Sequence, residues 1–111
     1  MATKIHTRLI VEMLGKPKEY IVKTLAAFVS RFEKDLEITK KEFADPVEQA
    51  GGMFSVFCEL EIMFRSIDEL FGFCFDAMPT SVEILDPEHV DFPANRLSDF
   101  LNDVQGKIHQ T

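Results

Sequence analysis

The residues able to do chemistry fall into two small groups. Cys58 and Cys74 are the two thiols, and His6, Arg8, Glu12, Glu59 and Glu61 form a set of acids and bases on two alternating stretches. A redox pair is the sharpest use of two cysteines. Both positions point into the core, one from a strand and one from a covering helix. Helix and sheet backbones pack roughly 10 Å apart, beyond the roughly 7 Å at which two cysteine Cα atoms can be bridged. Two buried, unpaired thiols that behave as small hydrophobes are the expectation. His6, Glu12, Glu59 and Glu61 could hold a metal or exchange protons, provided that two or three of them converge in a pocket that shifts their pKa values. Arg8 lies among these acids and can pair across strands with Glu59 or Glu61. Ordinary cross-strand ion pairs are therefore expected, with no metal and no cofactor. His89 and His109 have no partner at ligand spacing and read as surface residues.

The elements that position these groups come from hydrophobic periodicity. From Phe54 to Phe64 every second residue is apolar (Phe54, Val56, Cys58, Leu60, Ile62, Phe64), so this set lines one buried face of a long central strand. Met53, Ser55, Phe57, Glu59, Glu61 and Met63 share the other face. Residues 4–14 alternate in the same manner, with Ile5, Thr7, Leu9, Val11 and Met13 on one face and His6, Arg8, Ile10, Glu12 and Leu14 on the other. Pro17 suits the first turn of a helix running to about Lys34, with Ile21, Leu25, Phe28, Val29 and Phe32 on its inner stripe. Residues 36–43 read as an edge strand guarded by Lys40 and Lys41. Residues 44–52 read as loop, with Asp45-Pro46 and Gly51-Gly52 as turn chemistry.

Ser66-Ile-Asp-Glu69 is a capping box that opens a helix to about Met78, stopped by Pro79, with Ile67, Leu70, Phe71, Cys74 and Met78 inward. Phe73 and Phe75 make this helix more apolar than a one-sided helix should be. Residues 81–85 read as a strand. A last helix begins near Pro93 and aligns Leu97, Leu101, Val104 and Ile108. Gly106 inside it costs roughly 1 kcal/mol and should fray the final turn.

The 111 residues carry a net charge of −7, unevenly placed. Residues 1–41 hold nine Lys/Arg against five Asp/Glu, a balance of +4; residues 42–111 hold three against fourteen, a balance of −11. An acidic total repels phosphate backbones, which argues against nucleic acid as a partner. Gly52-Met-Phe-Ser-Val-Phe57 resembles an RNA-recognition signature only weakly: Gly51 stands where that module needs a basic residue, and Phe57 alone of its aromatics faces outward. Apolar runs fall far short of the roughly 18 residues that span a bilayer, and no signal-peptide core opens the chain. No membrane association and a reducing, cytoplasmic setting are expected. Phosphate loops, nucleophile elbows and CxxC or HExxH motifs do not occur in the sequence.

Strand, helix, strand, strand, helix, strand, helix is the order of the ferredoxin-like α+β fold with an added C-terminal helix, one domain over residues 1–111. The stretch from Ser66-Ile-Asp-Glu-Leu-Phe-Gly-Phe73 to Ser81-Val-Glu-Ile-Leu-Asp-Pro-Glu88 also resembles the C-terminal extension of WYL-type bacterial transcription regulators, itself ferredoxin-like. The likeness covers about a quarter of the chain, and no functional residue carries over.

Two helices can cover one sheet face only. The other should expose Ile10, Leu14, Met53, Phe57 and Met63, and the last helix adds Leu97, Leu101, Val104 and Ile108. These nine residues are the expected interface of a homodimer. About seven linker residues, Asp86–Phe92, reach roughly 23 Å, barely enough to bring that helix round to the far side of its own sheet. The favoured function is a non-catalytic interaction or small regulatory module that self-associates. The alternative is a small enzyme or ligand-binding protein of the dimeric α+β-barrel kind, with His6, Arg8, Glu59 and Glu61 lining its pocket.

Overall fold

A computed structural model describes residues 4–109. The elements are β1 (Ile5–Gly15), α1 (Lys18–Ser30), β2 (Glu37–Phe43), β3 (Val47–Glu48), β4 (Phe54–Phe64), α2 (Ile67–Ala77), β5 (Ser81–Asp86) and α3 (Ala94–His109). The strands form one antiparallel sheet in the order β2-β4-β1-β5, with the two-residue β3 also paired to β4. This is the ferredoxin-like arrangement with an added C-terminal helix.

β1 and β4 pair along their whole length, from Ile5 opposite Phe64 to Gly15 opposite Phe54. Their alternation divides the sheet cleanly. Ile5, Leu9, Val11, Val56, Cys58, Leu60, Ile62 and Phe64 are buried under α1 and α2, and residues such as Leu9 and Leu60 each contribute roughly 1.5–3 kcal/mol by leaving water. Thr7 is the buried polar exception, and its hydroxyl donates to the Ile62 carbonyl at 3.0 Å. Gly15 admits Ile21 to the core, since a Cβ there would lie 2.3 Å from the Ile21 Cδ1. Ile21, Leu25 and Val29 are the buried stripe of α1. Phe28, Phe32, Phe73 and Phe64 then form a line of tilted and edge-on rings, 5.3, 4.9 and 5.8 Å between successive centroids, that ties α1 to α2 and β4.

Several boundaries and faces differ from expectation. Pro17 is the N-cap of α1 and not its first turn, and past Ser30 the chain continues as tight turns to Leu36. β3 occupies part of the expected 44–52 loop, followed by a turn in which Gly51 and Gly52 take positive φ. In α2 the buried residues are Leu70, Phe73 and Ala77, so Phe73 points inward while Phe71 turns to α3. The excess apolar character of this helix serves two partners. The helix α3 neither crosses to the far side of the sheet nor projects away. It packs chiefly on α2, on the helix-bearing side, and it remains helical past Gly106 to His109.

Candidate functional site

The uncovered face of the sheet carries the expected polar group together with two residues not foreseen. Nε2 of His6 lies 2.9 Å from Oε1 of Glu61. Arg8 has both Glu61 of β4 and Glu83 of β5 directly opposite it. Its guanidinium reaches Glu83, at 3.1 Å, and not Glu59 or Glu61. Lys40 of β2 instead serves those acids: its Nζ donates to Glu59 at 2.8 Å, with Glu42 and Glu61 at 3.6 and 3.9 Å. The result is a lattice of alternating charge across four strands, from Glu42 and Lys40 through Glu59 and Glu61 to Arg8 and Glu83, with His6 hydrogen-bonded to Glu61 at its side. The hydrogen bond from Lys40 holds the Glu59 carboxyl below its ordinary range, and the same bond raises the ammonium. Such an arrangement fixes these side chains on one another.

Glu12 lies opposite Phe57 on this face, away from His6, and is exposed. Among the described residues no group of three His, Cys, Asp or Glu could hold a metal ion. Cys58 and Cys74 are both free, and burial pushes both thiols up. Glu83 was legible as the outward member of the alternation Ser81, Glu83. Lys40 was hidden by a bulge between Ile38 and Lys40, which decides the face it takes.

Beside the charges sits an apolar region at the β1–β4 end near Gly15. Leu14 and Phe57 are 60% and 37% exposed, and Ile10 and Met53 are half-buried; Met63, also half-buried, lies apart from them, opposite His6 at the other end of the strand pair. Val47, opposite Ser55, adds to the region near Gly15 from β3. On α3, Leu97 and Val104 are half-buried, while Leu101 and Ile108 are more than half exposed.

The notable concavity lies on the opposite side of the sheet. A groove of about 520 Å3 runs between α2, β5 and α3, lined by Cys74, Met78, Val82, Ile84, Leu97 and Val104 among others, without a charged side chain. Other clefts run between the polar edges of α2 and α3, along α1, beside β2 and at the linker after β5; none of these is lined by His6, Arg8, Glu59 or Glu61. No helix among the described residues is long and apolar enough to cross a membrane.

Fold and face together define a ferredoxin-like α+β protein with a charge-laced open sheet and a C-terminal helix docked on its second helix. Its sequence matches the MJ0538 family over residues 6–110, and the chain belongs to that family. No curated protein and no solved structure matches it.

Proposed function

We propose that this chain is a non-catalytic interaction module that self-associates, two copies meeting through the open faces of their sheets as a homodimer. The observation that carries this reading is one-sidedness. α1 and α2 pack on one face of the sheet and α3 joins α2 there, leaving Ile10, Leu14, Met53, Phe57 and Met63 on the other. The charges between them are partnered within the chain, so a second copy meets few unpaired ions. Two free cysteines fit a reducing, cytoplasmic setting, and the acidic balance disfavours nucleic acid. An enzyme or ligand-binding protein of the dimeric α+β-barrel kind is less well supported, because His6, Arg8, Glu59 and Glu61 direct their side chains to partners within the lattice.

Light scattering tests the pairing. The expected mass is about 25 kDa, twice the 12.7 kDa of one chain, and Phe57→Glu should return it to one chain. A single-chain mass at high concentration would overturn the proposal.

A further inference from the structure

β5 is the last strand in the sheet order, and among the described residues no strand pairs with its outer edge. Its side chains alternate. Val82 and Ile84, opposite Leu9 and Thr7, lie on the helix-bearing side; Ser81 and Glu83, opposite Ile10 and Arg8, lie on the open face. Despite their position Val82 and Ile84 are 44% and 41% exposed, because α3 leans on α2 and stands off the strand. They border the apolar groove, and Leu97 and Val104 of α3 face them across it.

We propose that this edge accepts an extended segment of a partner protein as an added strand, with apolar side chains alternating with basic ones. The unpaired N–H and C=O groups of β5 supply the backbone hydrogen bonds. Alternate apolar side chains enter the groove beside Val82 and Ile84, and the intervening basic ones fall on the opposite face beside Asp86 and beside Glu83, a carboxylate that is exposed and shared with Arg8.

Charge selects the occupant. Residues 42–111 hold fourteen acids and three basic residues. Those three are engaged internally: Arg65 with Glu69, Arg96 with Asp68, and Lys107 with the Phe75 carbonyl. Asp86, Glu88 and Asp91 stand exposed at and just beyond the end of the strand. A second copy of β5 would bring Glu83 and Asp86 against the same acids, so the edge is poorly suited to itself. The opposite edge of the sheet is protected: β2 carries Lys40, Lys41 and a bulge. This surface is separate from the sheet-face pairing, and either can fail without the other.

The probe is a labelled synthetic peptide of about seven residues, alternating lysine with valine or isoleucine, titrated into the full chain by fluorescence anisotropy. Saturable binding is expected, weakened about tenfold or more by Ile84→Lys. It should be lost when glutamate replaces the peptide's lysines or a central proline removes a backbone donor. Val104→Glu, on the other wall, should weaken it without touching the strand, and perturbed amide signals should map to β5 and α3. The proposal is overturned if no binding is seen at millimolar peptide. Equal binding of the glutamate peptide would overturn it, since charge would then not select the occupant, and so would indifference to both substitutions, since attraction of a basic peptide to an acidic surface would then suffice. A chain mass that Ile84→Lys halves and Phe57→Glu does not would assign the edge to a second copy and overturn it as well.

Discussion

Phe71 of α2 and Phe100 of α3 stack with ring centroids 4.3 Å apart and planes 19° from parallel. Phe92 meets the Phe71 ring edge-on at 5.8 Å, and Arg96 pairs with Asp68 at 2.8 Å. These contacts attach α3, which has no fully buried residue of its own, to the rest of the chain. Phe100→Ala should therefore release α3 locally, lowering its opening free energy by about 1–2 kcal/mol and leaving the sheet intact. Hydrogen exchange resolved by segment is the measurement. Unchanged protection of α3 would show that other contacts hold it.

The two faces of β4 differ by a single step in register. Leu60 is buried at its centre, and Glu61, next to it, points to the open face. Leu60→Ala should cost roughly 2–5 kcal/mol through the cavity it opens. Glu61→Ala should cost under about 1 kcal/mol, because its partners His6 and Lys40 remain half exposed or exposed. Urea unfolding ranks the two, and the reverse ranking would swap the faces.

This face assignment was legible in the sequence because period-two alternation over eleven residues permits one register when one face is buried. The location of α3 was not. A stripe of Leu97, Leu101, Val104 and Ile108 demands burial without naming its cover, and the ring that anchors the helix, Phe100, lies beside that stripe. Alternation also placed His6, Arg8, Glu59 and Glu61 on one face, but it could not choose among partners. Arg8 has glutamates on both neighbouring strands, and β5 supplies the one it takes because Glu61 is engaged by His6. A two-residue strand such as β3 carries no periodic signal.

At the start of α2, the Ser66 hydroxyl accepts a hydrogen bond from the Glu69 N–H at 3.1 Å. Ser66→Ala should destabilise the chain by around 1 kcal/mol, and Ser66→Asp should restore most of it. Thermal or urea melts of the pair check this. A neutral alanine variant would mean that the cap contributes nothing.

Both thiols should react slowly with a small alkylating reagent at neutral pH, since burial disfavours the thiolate that attacks. Cys74, half-buried in the groove wall, should be modified before Cys58, which has no exposed surface. Mass spectrometry after timed quenching gives the order, and faster loss of Cys58 would contradict the sheet assignment.

Glu69 closes the other half of the cap, one residue earlier than a capping box would have it. Its carboxylate accepts from the Arg65 backbone N–H at 2.9 Å and from the Arg65 guanidinium at 3.0 and 2.6 Å. Burial alone would raise this carboxyl, but the hydrogen bonds from Arg65 outweigh it, and the group titrates below its ordinary 4.5. A carboxyl depressed in the folded state leaves the unfolded chain binding more protons between the two pKa values. Its contribution is therefore complete above about pH 4.5 and is lost as the pH falls through the folded value. Glu69→Gln removes the titrating group while keeping an acceptor. The gap between wild type and variant in urea unfolding should be widest near neutral pH and should narrow as the pH falls below about 4.5. Taking the difference between the two proteins cancels the parallel loss from Glu59, which is also depressed. Curves that stay parallel as the pH falls below about 4.5 and the carboxyl protonates would mean that Arg65 and Glu69 do not interact in solution as they do in this structure.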